Sequence, residues 1–410
     1  MPREIPPTAG LPPYWRDLWG INHAHLADQL SAQLALPAPQ IECSGTAALM
    51  VALSTLSAAR QNRRRDEVII PAYTCPLVAM AVAHCGLRVR LCDLAPDHFD
   101  FDPEILAPLM SERTLAVIPT HLGGRVADVH RVAVEAAAHG ALVIEDAAQA
   151  LGAQVGEYGD MTFFSLAAGK GLSLYEGGIL TARDSALRQA LRQTSQSIIP
   201  QNWHRELRRC LELIAYTACY RPHGLHYAYG IPRKRALRAK DFLAAIGDNF
   251  PPEIPLHRVS RWRKNVGARA LPRLPDFLKR TREQAQFRCE RLRQIPRLRV
   301  LADADGRQGV WPFLMLLMPD AKSRDALLAQ LWSSPHGVTR LFLHALPDYA
   351  LLNKIIPVKD SVPHARNFAA RLLTISNSLW LEDTAFEHIC QTLEAAVQSA
   401  GAFPSPLADI

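Results

Sequence analysis

The stretch ALVIEDAAQA, residues 141–150, contains a run of apolar residues that is soon followed by the carboxylate of Asp146. A short apolar run bounded by turn signals is typical of a strand that is buried on both faces of a sheet. An unpaired carboxylate at the end of such a strand is costly. The stretch therefore predicts a buried strand. Asp146, at the end of this strand, is either the N-cap of a following helix or part of a binding site.

Similar runs precede this strand, separated by stretches with apolar residues at helical spacing. The predicted strands are EVIIPAY (67–73), LRVRLCDL (87–94) and LAVIPTHLGG (115–124), and the predicted helices cover residues 44–56, 77–86, 102–112 and 130–140. This alternation is typical of an α/β fold, a mostly parallel sheet flanked by helices. Such sheets bind ligands at the carboxyl ends of their strands. The polar residues to consider there are Tyr73, Cys75, His121, Asp146 and Gln149.

The pattern changes after residue 184, and we predict two domains. Residues 1–265 form a large domain, in which residues 201–250 make an atypical helical and aromatic-rich connection with a turn-rich part at 222–224. Residues 266–410 form a smaller α/β domain. Within it, residues 267–295 are predicted as one long helix or as two helices broken near Pro272.

The bulk composition excludes several classes of protein. Hydrophobic residues make up 49% of the 410 residues, which is enough for a sizeable core, and the net charge of +7 favours anionic ligands. No nucleic-acid-binding motif accompanies the basic residues, so no nucleic-acid partner is predicted. The eight cysteines contain no CxxC pair, so no metal site is predicted. Without a secretory signal or a spanning apolar stretch, we expect a cytoplasmic protein.

Lys170 lies in the weakly charged, glycine-rich stretch FFSLAAGKGLSLYEGG, residues 163–178. Partial desolvation lowers the pKa of a lysine towards the neutral amine, the form that condenses with an aldehyde cofactor. The ordinary alternative is a surface lysine. Asp146 supplies the context, because a carboxylate can pair with the cationic ring nitrogen of pyridoxal phosphate (PLP). Gln149 would share a face with Asp146 on a helical turn.

The phosphate of such a cofactor has a candidate site at SGTAAL, residues 44–49. Small residues at a helix N-terminus offer backbone N–H groups and the positive end of the helix dipole to an anion. Ser44 is the predicted N-cap of this helix. Ser165, five residues before Lys170, adds a hydroxyl donor for the same phosphate.

These segments together resemble the DegT/StrS family of sugar aminotransferases, which has the aspartate-aminotransferase-like PLP fold of type I. The resemblance extends over nearly the whole chain. It rests on SGTAAL (44–49), DEVIIPAYTC (66–75), THLGG (120–124), IEDAAQALGA (144–153), FSLAAGKGLSLYEGG (164–178), DFLKRTREQAQ (276–286), LHALPDY (343–349) and VPHARNFAARLLTI (362–375). Some relatives carry histidine at the lysine position and perform dehydration, so Lys170 indicates transamination.

The resemblance implies a role for each matching residue. Lys170 is the Schiff-base lysine and the proton carrier, and Asp146 pairs with the pyridinium nitrogen; these two are the catalytic residues. Gln149 binds near the phenolic oxygen of the cofactor. The implied phosphate donors are the backbone of Gly45, Thr46 and Ala47 and the hydroxyl of Ser165.

Two positions depart from the family pattern. Cys75 stands where an aromatic residue usually stacks on the cofactor ring, with Tyr73 nearby. The family segment whose asparagine reaches the phosphate of the partner subunit has its nearest counterpart at VSRWRK (259–264), which places Ser260 or Arg261 there. On the substrate side the resemblance places His121 and His344.

The implied function is amino-group transfer from an amino acid, with glutamate the expected donor, to a nucleotide-linked keto-sugar in polysaccharide or natural-product biosynthesis, by a homodimer. Two alternatives stay open. A PLP enzyme of the same fold with a non-sugar acceptor or dehydratase-like chemistry fits the departures at Cys75 and 259–264 equally well. A non-catalytic pathway partner at a membrane surface would use the aromatic and basic residues of 201–236.

Overall fold

The computed structural model describes residues 2–20, 25–59, 64–303, 306–356 and 361–398. Within these ranges the strands form a seven-stranded sheet and a four-stranded sheet. The larger sheet contains β1 (Gln40–Glu42), β2 (Glu67–Pro71), β3 (Arg88–Cys92), β4 (Thr114–Val117), β5 (Leu142–Asp146), β6 (Met161–Ser165) and β7 (Gly178–Ala182). The smaller sheet contains β8 (Arg299–Leu301), β9 (Phe313–Leu317), β10 (Val338–Thr339) and β11 (Leu372–Ser376).

The larger sheet has the strand order β1-β7-β6-β5-β4-β2-β3. Its strands β2 to β6 pair in parallel, and β7 is antiparallel to both β6 and β1. The predicted mostly parallel α/β sheet is confirmed. The carboxyl ends of β2, β4 and β5 therefore lie along one edge, as the position of a ligand site requires.

Helices connect the strands and cover the sheets. Those up to residue 198 are α1 (Trp15–Leu18), α2 (Leu26–Leu34), α3 (Gly45–Ala59), α4 (Pro76–His84), α5 (Pro103–Leu109), α6 (Val129–Ala138) and α7 (Ser185–Ile198). The later ones are α8 (Trp203–Cys219), α9 (Pro222–Leu225), α10 (Ile231–Arg238), α11 (Phe242–Ile246), α12 (Arg261–Ala270), α13 (Leu274–Arg293), α14 (Ala321–Leu331), α15 (Pro363–Arg371) and α16 (Asp383–Gln398). No helix in the described ranges is both long and apolar enough to cross a lipid bilayer.

The predicted turn-rich part at 222–224 is wrong, because this segment is helical. Pro222 occupies the first turn of α9, where its missing N–H costs nothing, and the chain continues through a π-helical turn at His226–Gly230 into α10. Gly224 packs directly against the backbone of Cys219, where an added Cβ would lie 2.4 Å from the carbonyl oxygen. Proline and glycine here permit close helix packing instead of marking a turn.

Residues 267–295 follow the second of the two alternatives, a helix pair broken near Pro272. A 3₁₀ turn at Leu271–Arg273 separates α12 from α13. Proline lacks the N–H that an uninterrupted α-helix would need at this position.

The smaller sheet packs on the core of the larger one through alternate residues of β9. Phe313, Met315 and Leu317 belong to the same buried cluster as β2, β4 and β5. Leu314 and Leu316 point to the opposite face, into a second buried cluster with α13, α14 and α16. The domain boundary at residues 265 and 266 stays a prediction.

The start of α3 is pressed against the hairpin of β6 and β7. Ser165 pairs with Gly178 in this hairpin, and the loop between them, residues 166–177, carries Lys170. A Cβ on Gly178 would lie 2.2 Å from the carbonyl oxygen of Ser44, and one on Gly45 would lie 3.2 Å from the Cβ of Ser165. The two glycines thus allow a main-chain contact that holds the helix start beside the Lys170 loop.

The Gly178→Ala substitution should reduce the free energy of unfolding by about 1–3 kcal/mol, because the methyl group cannot be accommodated against a backbone carbonyl. Urea denaturation measures this. Gly171→Ala is the matched control, since the nearest atoms to its added Cβ lie at 3.8 Å. Equal stability of the two variants would contradict the close contact.

Candidate active site

A cavity of about 470 Å³ lies at the carboxyl ends of β2, β4 and β5. Its walls are the start of α3, the turns after these strands, the Lys170 loop and the segment 250–255. Eight of the residues proposed from the sequence line it: Gly45, Thr46, Cys75, His121, Asp146, Gln149, Ser165 and Lys170. Four of the five residues that the strand-end argument named are among them, and Tyr73 is not.

Asp146 and Lys170 both line this cavity, and the charge of each affects the pKa of the other. Asp146 is only 4% exposed, and burial raises the pKa of its carboxyl group to about 6, although the N–H of Ala148 donates to its Oδ1 at 3.0 Å. Burial lowers the pKa of the Lys170 amine, against the opposing influence of Cys75 and Asp146. Turns follow β5, so Asp146 does not cap a helix. Burial thus shifts the pKa of Lys170 towards the neutral amine, and Asp146 is an acid with a pKa of about 6.

The start of α3 is the candidate anion cradle. The N–H of Ala47 donates to Oγ of Ser44 at 3.0 Å, which confirms the predicted N-cap and uses up the donor that we had assigned to phosphate. The N–H groups of Gly45 and Thr46 belong to the first turn, where a helix offers no acceptor of its own. Oγ of Ser165 accepts from the N–H of Ala167 at 3.3 Å, so its proton remains available for donation.

Gln149 is oriented by the turn that follows β4. Its Oε1 accepts from the N–H of Gly123 at 2.7 Å, and this bond assigns the amide orientation. Gly123 has a φ of 60°, and an added Cβ would lie 2.7 Å from the sulfur of Met315, so glycine is needed at this position. With its oxygen held, Gln149 keeps its two N–H donors for a ligand.

His121 stabilises the structure of the site, because both of its ring nitrogens form hydrogen bonds within the protein. Nδ1 accepts from the N–H of Ala127 at 3.0 Å, and Nε2 lies 2.9 Å from Oε2 of Glu145. An accepting Nδ1 leaves the proton on Nε2, which donates to the carboxylate. His121 therefore lines the cavity without a free nitrogen for a substrate.

Glu145 is a site residue that the sequence reasoning missed. Burial tends to raise its pKa, but His121 and the N–H groups of Gly156 and Gly159, each 2.6 Å away, outweigh burial and hold the pKa below its ordinary value. The signal was the acidic pair at the end of β5. Because neighbouring residues of a strand point to opposite faces, only Asp146 meets the cavity.

Four of the predicted residues do not line the cavity: Ala47, Tyr73, Arg261 and His344. The hydroxyl of Tyr73 donates to the carbonyl of Phe342 and accepts from its N–H, both at 3.1 Å, within the core. Arg261 lines a separate cavity beside Glu42. His344 lines a third cavity, near α14 and α15.

Other cavity residues come from segments that the motifs did not cover. Arg209, on α8, forms ion pairs with Glu176 and with Glu212, the latter at 2.5 Å. The segment 250–255 closes one side with Phe250, Pro251, Ile254 and Pro255. An arginine-rich helix was visible in the sequence, but nothing there showed which arginine reaches the site.

The DegT/DnrJ/EryC1/StrS aminotransferase family matches residues 32–247, more than half of the chain, and the chain belongs to this family. The match contains the cavity residues from Ser44 to Lys170. It also contains most of the segment 201–250, which we set apart as atypical, and it ends before 259–264.

Two curated relatives illustrate the range of similarity. GDP-perosamine synthase of Caulobacter vibrioides is 37% identical over 158 residues, which cover 37% of this chain and 42% of that protein. Spore coat polysaccharide biosynthesis protein SpsC of Bacillus subtilis is 26% identical over 367 residues, 87% of this chain and 85% of that protein. The chain spans about two fifths of the length of the first curated relatives that it matches.

Solved structures show the same fold over almost the whole length. Spr1654 from Streptococcus pneumoniae, in its PLP form, matches with a TM-score of 0.73 and 18% identity over 97% of this chain and 99% of that one. DesI, solved in the presence of its TDP-sugar product, matches with a TM-score of 0.72 and 19% identity over 97% and 94%. At these identities the likeness establishes the fold.

In the cofactor-free protein, Asp146→Asn should increase the free energy of unfolding at pH 8 by up to about 3 kcal/mol. The folded protein ionises Asp146 only above about pH 6, whereas the unfolded chain does so near 3.8, so stability falls as pH rises through this window and stays reduced above it. Near pH 4 the gain should largely vanish.

Urea denaturation at pH 8 and pH 4 checks this difference. Glu290→Gln, which removes an equal charge from an exposed position on α13, should change little at either pH. An Asp146→Asn variant less stable than the parent at pH 8 would show that the carboxylate is not a cost to folding.

Proposed function

We propose that the protein is a PLP-dependent aminotransferase that moves an amino group from an amino acid to a nucleotide-linked keto-sugar. Such an acceptor is anionic, and the basic charge of the protein favours its capture. The observation that carries the proposal is the shared cavity. A lysine amine with lowered pKa, a buried carboxylate and a helix N-terminus line it together.

The cavity fits PLP by the chemistry of its donors. The first turn of α3 and the hydroxyl of Ser165 would hold the phosphate, and Asp146 would face the ring nitrogen. The free N–H donors of Gln149 suit the phenolic oxygen. When bound, PLP supplies an aldehyde for amines and a ring that withdraws electrons from the reacting carbon.

Lys170 is the proton carrier of the proposed reaction. Burial lowers the pKa of Nζ towards the neutral amine. Nζ can then accept a proton from the α-carbon of the donor and deliver it to the carbon of the cofactor that receives the amino group. In the second half-reaction the same nitrogen works in the opposite direction, towards the carbon of the acceptor.

Asp146 would hold the positive charge of the ring nitrogen, and neighbouring residues keep its carboxyl group in place. A cation beside a buried carboxylate favours the ionised form. The pKa of Asp146, which burial raises to about 6, would therefore fall when the ring binds. The pair of His121 and Glu145 fixes the turn after β4, whose Gly123 orients Gln149. The complete set of these groups argues against a non-catalytic, membrane-surface partner.

The names of relatives support a sugar acceptor. They include a GDP-perosamine synthase and a structure solved with a TDP-sugar product. A non-sugar acceptor or dehydratase-like chemistry is the second candidate, because Cys75 lines the cavity where the family usually stacks an aromatic residue. Substrate screening separates the two candidates.

The oligomer and the compartment are parts of the same proposal. We expect a homodimer, as the family resemblance implies, and we expect it to lie in the cytoplasm. Arg261 lies outside the cavity of its own chain, which agrees with a role towards a partner subunit. Light scattering after size-exclusion chromatography tests the dimer.

Purified protein mixed with PLP should show a visible absorption band that glutamate bleaches, because the amino group passes from glutamate to the cofactor. Lys170→Ala should lack the lysine-linked band and lose at least about 10³-fold in amino-transfer rate, since the covalent amine and the proton carrier are removed together. Lys240→Ala, at an exposed position after α10, should behave as the parent.

A colourless parent protein would refute the cofactor assignment. A coloured protein that ignores glutamate and other amino donors would refute amino transfer while leaving the cofactor site in place.

A further inference from the structure

The outer face of α8 is largely apolar although it is exposed to solvent. Three large side chains on this face, which we call the α8 stripe, are more than half exposed: Trp203 at 67%, Leu207 at 52% and Leu211 at 59%. Because they are spaced by four residues, they lie one above the other along the helix. The other exposed residues of α8 are His204, Arg208, Ala215 and Ala218.

A second helix beside α8 adds two exposed tryptophans. α1 packs against α8, with Leu18 and Leu213 in one buried cluster. Trp15 and Trp19, at the two ends of α1, are each more than half exposed. Among the described residues, five of the ten exposed large hydrophobic side chains belong to these two neighbouring helices. Single exposed apolar residues are ordinary, but such a concentration indicates an interaction surface.

The charge of this part of the chain favours an anionic partner. Residues 201–240 contain nine arginine and lysine residues and two glutamates, an excess of +7 that equals the net charge of the whole chain. Both glutamates lie on α8 and are neutralised there. Glu206 is buried in an ion pair with Arg263, and Glu212 lies between two arginines. The exposed face of α8 therefore carries apolar and basic side chains, together with His204.

This composition suits a lipid surface with anionic headgroups. Tryptophan is enriched at the boundary between lipid and water, because its ring is apolar and its N–H is polar. Helices that lie in this boundary bury an apolar face that contains tryptophan and leucine, and carry basic residues beside it. The negative potential of anionic lipids attracts such basic residues.

The inner face of α8 turns towards the active-site cavity. Arg209 lines this cavity and forms an ion pair with Glu176. With 3.6 residues per turn, Arg209 points about 160° away from both Leu207 and Leu211. Since an α-helix with its side chains is about 10 Å wide, a surface bound at the α8 stripe would lie one helix diameter from the cavity wall.

We propose that the outer face of α8, together with α1, docks the protein on an anionic lipid surface. The α8 stripe enters the headgroup region, and Arg208 lies at its border. α8 lies parallel to the surface, because its inner face is packed against the protein. The proposal concerns where the protein binds and not what its cavity does, so it can fail or succeed independently of the proposed function.

Co-sedimentation of the protein with lipid vesicles, in the presence of PLP, tests the proposal. The protein should pellet with vesicles of phosphatidylcholine that contain about one third phosphatidylglycerol, and much less with phosphatidylcholine alone, because the anionic lipid attracts the basic residues. The double variant Leu207→Glu with Leu211→Glu should reduce the pelleted fraction at least about fivefold, because carboxylates replace two apolar anchors.

The matched control is Val134→Glu with Phe287→Glu. It adds the same charge at two exposed apolar positions, on α6 and α13, and should pellet like the parent protein. Thermal unfolding shows whether each variant is folded. If the glutamate variant of the α8 stripe does not fold, Leu207→Ala with Leu211→Ala removes the same anchors with a residue that favours a helix, and should also reduce the pelleted fraction.

Three results would overturn the proposal. The parent protein could fail to pellet with the anionic vesicles, or the folded stripe variant and its control could pellet equally. Light scattering could also show that the stripe variant has a smaller mass in solution than the parent protein. That result would identify this face as an interface between two copies of the chain.

Discussion

The main-chain contact between the start of α3 and the β6–β7 hairpin is the constraint on which the site depends. Gly45 lies against Ser165, and Gly178 lies against the carbonyl of Ser44, with no room for a Cβ at Gly178. This contact joins the anion cradle to the loop of Lys170, although the two are more than a hundred residues apart in sequence. A side chain inserted here would separate the groups that the chemistry requires together.

Glu145 and Asp146, at the end of β5, have different roles because neighbouring side chains of a strand point to opposite faces of the sheet. Glu145 points into a ring of donors, where His121 and two backbone N–H groups stabilise its charge. Asp146 points into the cavity, where burial raises its pKa to about 6 and leaves it in need of a cation. Glu145 therefore stabilises the structure around the site, and Asp146 is available to pair with a ligand. The two differ because hydrogen bonding lowers the pKa of a carboxyl group and desolvation raises it.

The sequence was most informative where local pattern and packing agree. Buried strands such as β2 and β5 follow from their apolar runs, and the position of Asp146 at the cavity follows from the rule of strand ends. Lys170 was predicted from its glycine-rich loop and from the family resemblance, and it lines the same cavity. Positions that depend on long-range packing were missed: Tyr73 turns into the core to bond Phe342, and Arg209 arrives from α8. Residues 222–224 were misread because proline and glycine serve both turns and tightly packed helix starts.

Borohydride reduction of the PLP-treated protein, followed by peptide mapping, tests the central claim most directly. Reduction fixes the cofactor irreversibly to the amine that holds it. The account predicts one pyridoxyl group per chain, on the peptide that contains Lys170, and none on that peptide in Lys170→Ala. Labelling spread over exposed lysines, or no labelling at all, would contradict the assignment of this cavity as the cofactor site.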